Sequence, residues 1–141
     1  MILFTKEDTT YRLPGIRETR RWLTAIIEGY EKRLGEITVV FCSDAYLLKI
    51  NQESLQHNDY TDIITFDYCV DDWVSGDLFV SVPRVQDNAK KYGVSQREEM
   101  ARVLVHGVLH LIGFQDKTTQ TQAAMREAEN RALAQLFHVK H

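Results

Sequence analysis

The chain has 141 residues, 44% of them hydrophobic and 26% charged, with a formal net charge of −3. That size fits one domain with an ordinary core, and the balance excludes both a disordered chain and a strongly basic nucleic-acid coat. No apolar run approaches the ~18 residues of a membrane span, and "MILFTKEDTTYR" has neither a basic leader nor a small-residue cleavage site, so the reading is a cytoplasmic protein with no membrane attachment.

In chain order, the first predicted element is a helix opened by Pro14. Ile16, Leu23, Ile26, Ile27, Tyr30 and Leu34 recur at helical spacing, and Gly35 offers a stop. "EITVVFC", 36–42, reads as a buried strand. Ser43 or Asp44 can cap a short helix running through Leu47, Leu48 and Leu55. "DIITFDYCV" and "GDLFVSV" read as two further strands, with "DDWVSG" closing a hairpin between them. Pro83 starts a helix with Val85, Ala89 and Tyr92 inward and Gly93 at its end. "SQRE", 95–98, is a capping box for the next helix, which Gly113 ends. Thr118 or Thr119 begins a last helix with Met125, Ala128, Ala132, Leu133 and Leu136 on its apolar side. The expectation is an α+β fold: residues 1–141 as a single compact domain, a mixed sheet of about four strands packed with about five helices. Cys42 and Cys69 lie in strand-like runs and read as reduced core thiols. Nine acids against Lys49 make the 36–77 segment acidic, and the flanking segments are locally basic.

The seventh of these elements, the helix ending at Gly113, carries the chemistry. In "VLVHGVLHLIGFQD" every residue from Val103 to Phe114 is apolar or glycine except His106 and His110. Apolar residues cover nearly the whole circumference, so the helix is central. Residues four apart share one helical face, so the two imidazoles can converge on one point. Buried rings need partners for their nitrogens, and a divalent ion serves both at once. Two core histidines, each bonded to a carbonyl or side chain, are the competing reading. A third ligand is expected beyond Gly113, with Asp116 the natural candidate because carboxylates bind zinc. Three protein ligands leave a fourth position open, as catalytic zinc sites do. Gly107 stands where an H-E-x-x-H protease carries its general-base glutamate, which disfavours peptide hydrolysis by that route. Gly107 also leaves space, for a substrate, for a crossing strand or for close helix packing.

"HGVLHLIGF" resembles the signature H-G-x-L-H-L-x-G-[YF]-D-H of the YbeY family, the bacterial rRNA-maturation endoribonucleases; His106, Gly107, Leu109, His110, Leu111, Gly113 and Phe114 match. Ile50, Asn51, Thr61, Asp62 and Phe66 resemble the family's L-N…T-D-V-L-S-F block, and "GDLFVSV" its G-D-I-x-I-S strand. The resemblance covers about the last two-thirds of the chain. It implies a single-strand-specific, metal-dependent endoribonuclease that matures the small-subunit rRNA 3′ end and acts in ribosome quality control. It also implies one zinc-like ion per chain, and single-stranded RNA, small-subunit rRNA and the ribosome or its assembly factors as partners.

The sequence departs from the family pattern twice. The family's third ligand is the histidine closing the signature; without a gap that position is Asp116, whereas a one-residue insertion would place Lys117 there. The family's arginine after L-N falls on Leu55, with Gln56, His57 and Asn58 nearby. The resulting expectation is phosphodiester cleavage with His106, His110 and Asp116 holding zinc or another divalent ion. His57 would be a proton shuttle or a solvated loop residue, and Arg84 a phosphate contact or a solvated first-turn residue. Thr61 and Asp62 either orient a loop at the site or make a turn. Competing functions are a non-catalytic ribosome assembly factor with a structural metal and, further off, a metallopeptidase.

Overall fold

A computed structural model describes residues 1–55 and 61–137. The described residues form β1 (Ile2–Glu7), α1 (Ile16–Gly29), β2 (Arg33–Cys42), α2 (Asp44–Leu55), β3 (Ile63–Asp67), β4 (Trp73–Ser81), α3 (Val82–Tyr92), α4 (Gln96–Ile112) and α5 (Thr119–Phe137). The sheet order is β1-β2-β4-β3. β2 runs parallel to both β1 and β4, and β3 is antiparallel to β4. The expected α+β fold with a mixed four-stranded sheet and five helices is therefore present.

Side chains alternate across the strands and sort onto two faces. Ile37, Val39, Phe41, Leu78 and Val80 join the main core beneath the helices. Cys42 and Ile64 turn to the opposite face, where Leu47, Tyr46 and Ile50 of α2 cover them. α4 lies in the main layer and packs on β3 and β4 as well as on α1, α3 and α5. Leu104, Val105, Val108 and Leu109 have no measurable exposure, which explains the apolar circumference of this helix. The Trp22 indole N–H donates to the Ala132 carbonyl at 2.8 Å and ties α1 to α5. Both cysteines are free thiols. Burial, together with the charges of Asp44 and Asp8, pushes the Cys42 thiol up to about 12.

One strand comes in addition to the expected elements, and three local expectations are corrected. The apolar start is a strand, β1, paired in register from Ile2–Ile37 to Glu7–Cys42. Six residues at a sheet edge carry too little alternation to announce themselves. α1 stops at Gly29, and Leu34 with Gly35 belong to β2. Leu34 falls four residues after Tyr30 by coincidence of spacing. Gly35 is required for close approach: a Cβ there would lie 2.1 Å from Ser75 Oγ. β4 begins at Trp73, so the hairpin turn lies earlier, around the Val70–Trp73 bridge with Asp71 at positive φ. Tyr92 is 58% exposed rather than inward.

Gly107 makes room for a crossing strand pair: a Cβ would meet Ile63 Cδ1 at 2.8 Å and Leu78 Cδ2 at 3.0 Å. Gly76 is tighter, because its Cβ would sit 2.4 Å from the Phe66 carbonyl oxygen, a backbone atom, and 2.9 Å from Leu111 Cδ2. Overpacking a well-filled site costs about 1–3 kcal/mol. Gly76→Ala is expected to reach the upper part of that range, because the Phe66 carbonyl moves only with β3. Urea unfolding of the variant checks this, and an unchanged midpoint contradicts the packing argument.

Candidate metal centre

Ser95 Oγ accepts from the Glu98 amide at 3.0 Å and starts α4, as the capping box predicts. The helix closes at Gly113, φ +125°, whose N–H bonds to the Leu109 and His110 carbonyls. The chain then turns back, and Asp116 arrives against the last turns of the helix. Its Oδ2 lies 3.3 Å from His110 Nε2 and 3.5 Å from His106 Nε2. The two Nε2 atoms are 3.0 Å apart. One ligand atom from each of the three residues lies within 4.8 Å of the others, the sole such group among the described residues.

The other ring nitrogens decide what this cluster can hold. His110 Nδ1 is 3.0 Å from the Phe114 carbonyl oxygen, which only accepts, so Nδ1 carries the proton. His106 Nδ1 donates to Glu129 Oε2 at 2.6 Å. Both Nε2 lone pairs therefore face one another and the Asp116 carboxylate with no donor between them. A cation relieves that arrangement, and His nitrogens with a carboxylate oxygen are ordinary zinc donors. Hydrogen bonds from the far nitrogen to a carboxylate and a carbonyl are the supports that hold metal-binding imidazoles in orientation. The donor set fits a divalent ion.

Glu129, from α5, is 4% exposed. Besides His106 it accepts from Arg102 Nη1 at 2.9 Å, while Arg102 Nη2 donates to Asn130 Oδ1 at 2.8 Å. Burial raises the Glu129 pKa, but the hydrogen bonds from His106 and Arg102 outweigh it and the net direction is down, so Glu129 stays ionised. Burial lowers His106, yet the Glu129 hydrogen bond and the charges of Glu129, Asp116 and Asp62 drive it upward. Both directions describe a site whose field favours positive charge.

Two recesses flank this ridge. An open cleft of about 540 Å³ runs over Asp116, Thr119 and Gln122. A cavity of about 200 Å³ lies on the other side, between α3 and β3 and the helices α4 and α5, with Asp62, Asn88, Glu99 and Arg126 in its lining. His106 and Glu129 border both. Asp62 accepts from Asn88 Nδ2 at 3.2 Å, and burial pushes its carboxyl up. Thr61 Oγ1 donates to the Ile63 carbonyl at 3.5 Å.

The structure thus brings His106, His110 and Asp116 together; Lys117 and Gln115 are exposed. Arg84 sits at the head of α3, its Nε and Nη2 paired with the two Asp44 oxygens at 3.0 and 3.1 Å. Leu55 ends α2, and His57 lies outside the described residues. Sequence reasoning passed over Glu129, Arg102 and Glu99 as parts of the site. The signals were available: Glu129 interrupts the Met125–Ala128–Ala132 apolar stripe, and Glu99 falls on the stripe of Val103, His106 and His110.

A family model described as "Endoribonuclease YbeY" matches residues 4–137. A protein of that name from Flavobacterium johnsoniae is 49% identical over 140 residues, covering 99% of each chain. One from Bacteroides thetaiotaomicron is 47% identical over 132 residues, covering 92% of this chain and 96% of that one. The solution structure of TM1509 from Thermotoga maritima superposes with a TM-score of 0.73 over 98% of this chain and 90% of that one, at 24% identity, which supports the fold. With the match spanning nearly every residue of the fold just described, the chain belongs to the family of endoribonuclease YbeY.

Proposed function

We propose that this protein is a metal-dependent endoribonuclease acting on single-stranded RNA, with small-subunit rRNA as its substrate during 3′ end maturation and ribosome quality control. The observation that carries the reading is the pair of Nε2 lone pairs converging with the Asp116 carboxylate while both Nδ1 atoms are committed elsewhere. Family membership supplies the reaction class.

In this reading His106, His110 and Asp116 hold one zinc ion. When bound, it supplies Lewis acidity toward a phosphoryl oxygen. Glu129 keeps the His106 ring in the tautomer that leaves Nε2 free, and the Phe114 carbonyl does the same for His110. The open cleft over Asp116 gives an RNA strand a path to the centre. In this reading His57 is the proton shuttle, and Arg84, whose fork is paired with Asp44, would reach a phosphate only by leaving that carboxylate. No helix among the described residues is long and apolar enough to cross a membrane. The free thiols suit the reducing cytoplasm, where the ribosomal partners reside.

The test is cleavage of single-stranded RNA, duplex RNA and a peptide by the purified protein, before and after chelation and zinc return. Only the single-stranded RNA is expected to be cut, with loss on chelation and recovery with zinc. Asp116→Ala is expected to lower zinc affinity at least about tenfold, since it removes a donor rather than a support. Full zinc content with no cleavage of any RNA, ribosome-bound RNA included, would instead identify an assembly factor with a structural metal.

A further inference from the structure

We propose that the cavity beside His106 is a guanine pocket, in which the Glu99 carboxylate accepts from N1–H and the exocyclic N2–H of a base next to the scissile phosphate. The inference rests on the endoribonuclease reading and adds a specificity determinant to it.

Glu99 is 5% exposed, lines the cavity and has no hydrogen bond or ion pair to its carboxylate from any described residue. Its oxygens open to the cavity, because no buried side-chain oxygen among the described residues lacks a hydrogen-bond partner, and Arg102 and Arg126 act on them only through space. Arg102 is engaged by Glu129 and Asn130, and the Asn88 amide donates to Asp62. Arg126 is 63% exposed at its side chain and leans toward Glu129 at 3.9 Å. Among the described residues no donor is bonded to the Glu99 carboxylate, so a ligand can supply one.

Charge decides between a second cation and a neutral ligand. Asp62, Glu99 and Glu129 are offset in part by Arg102 and Arg126, whose guanidiniums line the same cavity. A second divalent ion would sit against those two cations. A neutral group rich in N–H adds no charge.

Among RNA bases only guanine presents two adjacent N–H donors on its Watson–Crick edge, matching the two oxygens of one carboxylate as parallel hydrogen bonds. Adenine and cytosine set a ring acceptor beside their amine, and uracil flanks its single N–H with carbonyls. Unpaired bases in single-stranded RNA are read by such edge contacts together with aromatic stacking. Tyr92, 58% exposed in the cavity lining, offers a ring for stacking. Arg126 can reach the O6 and N7 acceptors, the commonest arginine contact to guanine. Because His106 borders both the metal cluster and the cavity, the base seated there belongs to a nucleotide adjoining the reacting phosphate.

The test is an amide NMR titration of the zinc-loaded full chain with GMP, IMP, AMP, CMP and UMP. GMP is expected to shift the amides of Asp62, Asn88 and Glu99 and to bind at least about tenfold more tightly than IMP, which lacks only the exocyclic amine. Glu99→Gln is expected to bring GMP down to the level of the others. The wild-type comparison stands even if that variant folds poorly. Equal binding of all five, or shifts confined to the metal cluster, would mean the cavity holds only water and would overturn the proposal. Cleavage of RNA without preference for guanine would overturn it too, leaving the endoribonuclease reading intact. Selective GMP binding with no cleavage of any RNA would do the reverse.

Discussion

Replacing His110 with alanine is expected to strip the protein of bound zinc and of RNA cleavage while leaving the fold in place. The ring is at the surface end of α4, its side chain 30% exposed, and outside the ligand cluster its hydrogen bond among the described residues runs from Nδ1 to the Phe114 carbonyl. Losing one such hydrogen bond costs about 0.5–1.5 kcal/mol, a small part of a domain's stability. The metal loses far more. Mutating groups that merely support a ligand lowers affinity or activity by ~10–100-fold. Removing the ligand itself leaves two donors, one of them a carboxylate 39% exposed to competing water, so the loss is expected to exceed the ~100-fold end of that range. Three measurements check this: zinc content by mass spectrometry, cleavage of a single-stranded RNA, and thermal unfolding with and without zinc. Zinc binds only the folded site and should raise the wild-type transition by mass action, with no such rise in the variant. Stoichiometric zinc in His110→Ala would remove this ring from the ligand set.

Glu129 is the residue where stability and metal affinity can be separated. Glu129→Ala leaves Arg102 and His106 facing a buried gap, and removing one partner from a buried ion pair costs about 3–5 kcal/mol. Glu129→Gln keeps the shape but has one acceptor oxygen where two are used. If the amide nitrogen faces Arg102, two donors oppose each other. If it faces His106 Nδ1, it donates there, moves the ring proton to Nε2 and blocks the lone pair the metal needs. Zinc affinity of Glu129→Gln is therefore expected to fall ~10–100-fold, with a smaller stability loss than the alanine variant shows. Competition with a chromophoric chelator measures the first, and urea unfolding of the metal-free proteins the second. Unchanged zinc affinity in Glu129→Gln would show that the 2.6 Å contact to His106 does not set the tautomer.

How much of this was legible in the chain depends on the range of the interaction involved. Helix α4 was, from its capping box to Gly113, because capping and the 3.6-residue period are properties of the local backbone. So was the approach of His106 to His110, four residues apart on one face. Asp116 needed only a short turn after a glycine. β1 was not legible, because a short edge strand is specified by its pairing with β2 rather than by its own pattern. Gly35 and Gly76 look like turn residues until Ser75 and Phe66 are seen pressing against them from neighbouring strands.

Residue types and spacing settle which side chains can ligate and put two of them on one helical face, within the family signature. The rest of the site is assembled by long-range packing. Glu129 reaches His106 across 23 residues of chain because α5 crosses α4 at that turn. Asp62, Asn88, Glu99 and Arg126 share one cavity because four separate elements meet around it. The physical reason is the same in each case. Local periodicity orients a side chain relative to its own backbone, whereas the partner it meets is chosen by how buried apolar faces pack, and that choice is made over the whole core at once.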